Sequence, residues 1–380
     1  MLTPTRYHFR AAALPLALAL FLALGSLYSC SENPPTQGKD SCDTCEVPCD
    51  TCEVPCDTCN IDKDSASHAF TWTEYSIPGV SSLTGVAVFS DNRIYAFGNK
   101  LHIFDGTNWT TTTAYVGSGP REAGFIDKYV FAFSESNYWV VSYNVIYNGD
   151  GKFVDEYRLD TSQYDAPLRA CWGTSKTDMF FVGDYGAVTH FDGTTWTKMP
   201  RVTTKNLRSV WGTSHNDVWA CGFNEETAES VLIHFNGTSW SEQNLSEIGS
   251  IGFAKHALQS VWATDSSGHK IAVVSGSLLW RKTDNLSWRS DSGYILNRVS
   301  DGGFIGLAAK GNSINDYIAV GGWGFTSHWN GKTWKRYDEL YSYGGSYYAT
   351  YAFDMKGNTI CLVGVKNGTS WIAIGRRKPF

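Results

Sequence analysis

Along residues 68–380 apolar and polar positions alternate over short runs, as in VLIHF (231–235), DVWACG (217–222) and WTKMP (196–200). Period-two alternation marks β-strands, and the Gly, Asn and Asp clusters between the runs are turns. The runs themselves recur. Val210–Trp240 reads VWGTSHNDVWACGFNEETAESVLIHFNGTSW, and Cys171–Trp196 reads CWGTSKTDMFFVGDYGAVTHFDGTTW. Trp196, Trp240, Trp288 and Trp334 each close a copy, at spacings of 44, 48 and 46 residues. Upstream, IFDGTNW ends at Trp109 and IYNGDGKF ends at Phe153, giving further spacings of 44 and 43 residues. A period of about 40–50 residues holding four short strands belongs to a β-propeller blade. The 3.6-residue apolar periodicity that helical repeats need is missing.

Phe70–Ile77 reads as a lone strand ahead of the first unit, and the last unit, from Tyr347, has three strands but no fourth. Joining the lone strand to that unit closes the ring and removes exposed sheet edges. The predicted fold is all-β: a seven-bladed β-propeller over 68–380, closed by its N-terminal strand. Blades are expected near 82–118, 122–160, 168–202, 207–245, 257–292, 304–340, and 346–380 with 69–78. Six or eight blades are the alternatives, because the second and seventh units are the most degenerate.

Within a unit the first strand is expected nearest the axis, and the second is apolar on both faces because neighbouring blades sandwich it. Asp178, Asp217 and Asp316 begin second strands and are expected to bond nearby backbone N–H groups, as in Asx turns. Gly106, Gly193, Gly237 and Gly331 stand where the turn after the third strand needs φ > 0. Cys171, Cys221 and Cys361 read as small buried apolar residues. His190, His234 and His328 recur at one blade position, which is repeat structure; no metal site is expected in the propeller.

The N-terminus changes the picture from a plain propeller to an exported one. Arg6 and Arg10 precede an apolar run, AAALPLALALFLALGSL (11–27), the pattern of a signal peptide. It runs into Leu27-Tyr28-Ser29-Cys30, which resembles a bacterial lipobox, although Tyr28 is bulkier than the usual residue there. The resemblance implies a lipoprotein signal peptide over 1–29 and lipidation of Cys30, hence attachment to the bacterial cell envelope at the outer membrane or cell surface. Residues 30–67 form a spacer carrying CDTCEVP heptads, with Cys42, Cys45, Cys49, Cys52, Cys56 and Cys59 in three CxxC pairs. In an oxidising compartment these favour disulfides; in the reduced state they suit a metal.

Composition adds one exclusion. The chain carries a formal charge of −6 with pI about 5.8, so a nucleic-acid partner, which calls for a basic face, is not expected. Aromatics at 14% suffice to fill a large core.

The VWGTSxxDVWAxG…HFDGTxW repeat resembles a group of bacterial secreted and lipid-anchored propeller proteins, mostly without assigned activity. The FDGTTW turn is also similar to the Asp-box of sialidase-like propellers. Here, however, Asp192 lies four residues before Trp196, where that box has five. Kelch repeats want paired glycines after the second strand, and Gly321-Gly322 alone supplies them; the WD dipeptide of WD40 strands is absent.

Loops between blades and between second and third strands are longer and more varied than the other turns. They share one face, the usual home of binding on a rigid scaffold. That face is expected to collect Tyr185, Tyr294, Arg298, Trp323, Tyr337, Tyr341 and Tyr343, aromatic and Arg types that anchor ligands. The expected role is non-catalytic binding of a protein or glycan at the envelope, with no cofactor. The alternatives are a glycan-active enzyme of the sialidase or glycosidase kind and a scaffold component of an envelope complex. For the enzyme, Arg169 and Arg208 occupy matching inner-strand slots able to hold a carboxylate. The next slots hold Gln259 and Ile305, so the cluster stops at two.

Overall fold

The computed structural model describes residues 66–380 apart from 125–128, 144, 151, 161–165, 247–256, 267–268, 276–278, 284–288, 291–307, 341–347 and 379–380. The expected signal peptide, the lipidated Cys30 and the six spacer cysteines lie outside the described residues. β1 (Phe70–Tyr75) comes first. The next sheet holds β2 (Gly85–Ser90), β3 (Arg93–Phe97), β4 (Leu101–Phe104) and β5 (Trp109–Thr112) in that order. β6 (Tyr115–Val116) pairs parallel with β10 (Phe153–Arg158), extending a meander of β7 (Tyr129–Ser134), β8 (Asn137–Ser142), β9 (Val145–Gly149) and β10.

Three more meanders follow. One is β11 (Leu168–Ser175), β12 (Asp178–Gly183), β13 (Val188–Phe191) and β14 (Trp196–Lys198); the next is β15 (Asn206–Ser214), β16 (Asp217–Phe223), β17 (Ser230–Phe235) and β18 (Trp240–Glu242). The third is β19 (Ser260–Ser266), β20 (His269–Ser275), β21 (Leu279–Thr283) and β22 (Arg289–Ser290). Then come β23 (Ala308–Ser313), β24 (Asp316–Val320), β25 (Thr326–Trp329) and β26 (Trp334–Arg336). The last sheet is built from β27 (Tyr348–Lys356), β28 (Thr359–Lys366) and β29 (Thr369–Arg377), with β1 as its outermost strand.

The described strands thus form an all-β propeller of seven sheets. Their inner strands β2, β7, β11, β15, β19, β23 and β27 touch in sequence, and β27 returns to β2. β1 runs antiparallel to β29 from Phe70↔Arg377 to Tyr75↔Ile372, so the two ends of the propeller chain meet in one sheet.

Period-two alternation in the second strands whose side chains are described gives their sheets two apolar faces. In β12, Met179 and Phe181 pack with Trp139 and Ile146 of the sheet before, while Phe180 and Val182 pack with Val218, Phe235 and Trp240 of the sheet after. β28 does the same: Cys361 and Val363 face Val86 and Ile94, and Ile360 and Leu362 face Ile318 and Tyr337. Each such fully buried large side chain contributes about 1.5–3 kcal/mol. Cys171, Cys221 and Cys361 are buried thiols within these layers, and burial pushes all three thiols up.

The turns after the third strands behave as expected. Gly106, Gly193, Gly237 and Gly331 do take φ of 89–101°, and Asp105, Asp192, Asn236 and Asn330 each accept two backbone N–H bonds at those turns. At Asp178, Asp217 and Asp316 the side chains reach beyond the turn. Each reaches across its sheet to a histidine: His190 Nε2 at 2.7 Å, His234 Nε2 at 2.7 Å and His328 Nε2 at 2.8 Å. Each also bonds the end of strand one, through Thr174, Thr213 or Asn312. Carboxylates half-sheltered by packed sheets are held better by several side-chain donors than by one turn N–H.

At the closure this motif is longest. Arg377 of β29 donates to Asp316, His328 Nε2–H donates to the same carboxylate, and His328 Nδ1 lies 2.8 Å from His68 Nδ1. His68 Nε2 in turn lies 3.0 Å from Thr333 Oγ1, so the contacts run from Arg377 through Asp316, His328 and His68 to Thr333. Burial disfavours the charged form of both imidazoles. Burial, reinforced by His328, Lys335 and Arg377, lowers His68 from 6.5 to about 4. Burial, with Lys100, lowers His102 likewise to about 4.

Three inner strands carry a further irregularity. β11, β15 and β27 each slip register near the start, between Leu168 and Ala170, Leu207 and Ser209, and Thr350 and Ala352. Opposite each slip, at the end of strand two, stands a glycine: Gly183, Gly222 or Gly364. A Cβ there would lie 2.0, 1.9 and 1.8 Å from the carbonyl oxygens of Pro167, Asn206 and Ala349. The bulges exist because glycine lets the two backbones approach.

Two outcomes follow. Gly222→Ala must push β15 off β16 and is expected to destabilise the propeller by about 1–3 kcal/mol, seen as a lower denaturant midpoint; an unchanged midpoint would refute the close approach. Unfolding frees His68 and His102 to bind protons that the folded ring refuses, so stability is full above pH 6.5 and falls toward pH 4. Thermal melts should show that fall, and His68→Gln should flatten part of it.

Candidate functional site

Where the inner strands face the axis they leave a cavity of about 700 Å³. Its described lining contains no Asp or Glu; its charged residues are Arg169, Arg208 and Lys310. Arg169 and Arg208 are the extra residues in the slips of β11 and β15, and Tyr351 is the extra residue in the slip of β27. All three line the cavity. A bulge re-aims the side chain it carries, and here it turns three side chains toward one opening.

That opening lies on the loop face. Strands one begin there, and so do the loops joining strands two and three: Asp184 N donates to Pro167 O, and Tyr185 N to Asn206 Oδ1. The short turns occupy the opposite end, where Gly193 abuts Thr177 and Gly331 abuts Asn315.

The three cations are held differently. Arg169 forks onto Asp184, Nε to Oδ1 at 2.9 Å and Nη2 to Oδ2 at 2.6 Å, with its guanidinium 5.0 Å from the Tyr143 ring centre. The Asp184 bond holds its pKa above the usual value. Lys310 Nζ lies 2.6 Å from Asp354 Oδ1 and 4.7 Å from the Trp211 ring centre. Arg208 is the least satisfied. Its Nη2 meets Glu225, whose side chain is 56% exposed on the loop between β16 and β17, and its Nε is buried without a hydrogen-bond partner. Burial and then the neighbouring Arg169 push its pKa below the usual value.

The residues expected on this face divide three ways. Tyr185 is 59% exposed in a 3₁₀ turn (Asp184–Gly186) at φ 54°, beside the Asp184 that grips Arg169. Trp323 occupies the matching 3₁₀ turn, Gly322–Gly324, between β24 and β25. Tyr294, Arg298, Tyr341 and Tyr343 lie outside the described residues. Tyr337 does not belong: it is 2% exposed, packs against Phe70 and Trp72 and donates its hydroxyl to His68 O at 3.1 Å. It follows β26 directly, and the closing strand β1 covers it. Two aromatics that sequence reasoning passed over stand at the site instead, Tyr143 at 47% and Tyr351 at 50% exposed. The glycine ending strand two was the available signal for a bulge, and hence for Tyr351.

One further cluster contains metal-ligand types. Asp178 Oδ1 accepts from His190 Nε2 and from His215 Nδ1 at 2.8 Å, His215 coming from the first turn of the neighbouring sheet. Burial opposes the Asp178 carboxylate, but bonds from Thr174, His190 and His215 outweigh it and hold its pKa low. At the equivalent carboxylates the second donor is Trp219 Nε1 on Asp217 and Arg377 on Asp316. His215 fills a donor position that tryptophan and arginine fill elsewhere, so the cluster reads as sheet-to-sheet bonding.

No protein-family model matches this chain, and no curated protein matches it. Solved structures do. The structure of YCF48 bound to D1 peptide is 15% identical, with TM-score 0.59 over 83% of this chain and 100% of that one. YCF48 from Cyanidioschyzon merolae is 14% identical, with TM-score 0.54 over 79% and 98%. The WD40 β-propeller domain of Doa1 is 12% identical, with TM-score 0.54 over 80% and 96%. At such identities the likeness is one of fold: this chain is built as these β-propellers are.

Proposed function

We propose that this chain is a non-catalytic binding protein of the bacterial cell envelope that presents the loop face of its propeller to a protein partner. The observation that carries this reading is the convergence of Arg169, Arg208 and Tyr351 on one cavity, with Tyr143 against the Arg169 guanidinium and Tyr185 exposed next to the Asp184 that grips Arg169. Arginine and exposed aromatics on a rigid frame are the side chains that dominate protein recognition. The similar propeller YCF48, bound to a D1 peptide, supports a peptide as the kind of partner such a ring can hold. We read each sheet as one blade, which makes seven.

Attachment follows from the N-terminal pattern. Residues 1–29 act as a lipoprotein signal peptide, Cys30 carries the lipid, and residues 30–67 hold the propeller away from the membrane. Prolines and acidic residues between the CxxC pairs keep that spacer extended. The lipid chains supply the membrane affinity, at about 0.8 kcal/mol per buried CH₂.

Two experiments test the two halves. In a bacterial host fed an alkyne fatty acid, the chain should label and sediment with membranes, and Cys30→Ala should abolish both; labelled Cys30→Ala would remove the anchor from this reading. Photo-crosslinking residues placed at Tyr185 and Tyr351 should trap an envelope protein, while placement at Thr107 and Thr194 on the opposite face should not. Equal trapping from both faces would refute a loop-face site.

A further inference from the structure

The resting protein already shows what the cavity mouth attracts. Arg208 stands beside a second guanidinium, Arg169, and the two repel each other. Arg169 is satisfied by the buried, bidentate Asp184. Among the described residues Arg208 is met by Glu225, a carboxylate on an exposed loop, and its buried Nε points to no acceptor. A fork of N–H donors with one arm unfilled, placed near a second positive charge, is a strong attractor for a carboxylate. The bulges of β11 and β15 hold both arginines at the opening, so the arrangement is built into the backbone.

The remaining surroundings narrow the carrier of that carboxylate. Beside Arg208 the cavity wall is Ser209 and Trp211, continued by Val261 and Trp262 of the adjacent inner strand, and Phe353 also lines it. This is room for apolar side chains flanking an acidic one. The group that occupies the place in the resting protein is itself a glutamate on a peptide loop. Resting on the protein-binding reading above, we infer that the mouth of the central cavity is a carboxylate subsite for an acidic peptide segment, with Arg208 as its main anchor and Glu225 as an internal stand-in that the ligand displaces. Arg169 adds field, and Tyr351 supplies a wall on the third bulge.

Fluorescence anisotropy with the full-length chain would use a fluorescein-labelled (Gly-Glu)5 amide and its (Gly-Gln)5 counterpart. The acidic peptide should bind and the neutral one should not, with affinity falling as salt rises. Arg208→Gln should weaken binding about tenfold or more, the loss expected for one charged hydrogen bond. Glu225→Gln should tighten it several-fold, because the internal competitor is gone. Arg121→Gln, on a surface ion pair with Glu156 away from the cavity, should change nothing. A merely structural role for the Arg208–Glu225 pair predicts loss or no change on Glu225→Gln, so either result there overturns the inference. So would equal binding of the neutral peptide. Binding of N-acetylneuraminic acid with none of the peptide would assign the subsite to a sugar acid and overturn it too. Crosslinking at Tyr185 reports a partner of any charge, so the wider reading can survive the loss of this subsite. The converse also holds, since peptide binding with no crosslinked partner would sink the wider reading alone.

Discussion

Each sheet whose second-strand side chains are described is apolar on both faces, and that constraint governs the rest. A sheet with two apolar faces needs a neighbour on each side, which a linear stack cannot provide for its first and last members. A closed ring can. The closure rests on β1 against β29, where six residue pairs from Phe70↔Arg377 to Tyr75↔Ile372 tie the two ends of the propeller together. The ring is also locked by side chains. His68, His328, Asp316 and Arg377 form a chain of donors and acceptors across that seam, and Tyr337 is buried beneath it. A tyrosine that looks like a surface anchor in the linear sequence is, for this reason, part of the closure.

The same packing decides where function can lie. The faces of the sheets are consumed by the core, and the short turns at one end are occupied by their own Asp, Asn and Gly chemistry. What is left is the loop end and the axis. The inner strands line the axis, and both arginines that reach the cavity do so where their strand is locally rearranged. Glycine at the end of strand two permits that rearrangement in three sheets. Two of the three use it to present arginine, and the third to present tyrosine.

Charge at the cavity is of one sign although the chain as a whole is acidic. Arg169, Arg208 and Lys310 line it, while their counter-ions Asp184, Glu225 and Asp354 sit behind or beside them. Among the described residues, the carboxylates that meet these cations are Asp184, Glu225 and Asp354, one for each. The recurrent histidines have an equally mechanical explanation. Each is a hydrogen-bonded strut between the third strand and the first turn, and the Asp178 cluster differs only in taking its second donor from His215.

Much of this was legible in the residues alone. The repeat of aromatic-closed units, the period-two alternation and the glycines of the DG and NG turns determine an all-β ring with its terminal strand tucked into the last sheet, because those patterns encode short-range geometry and burial that the chain repeats. They also place Arg169 and Arg208 in matching slots. The residues could not say that those slots are bulges, that Tyr351 shares one on the far side of the ring, or that Tyr337 is covered. Nor could they show that Asp178, Asp217 and Asp316 bond histidines across the sheet. Those outcomes depend on which residues separated by tens or hundreds of positions come within a few ångströms, and only the closed tertiary structure decides that.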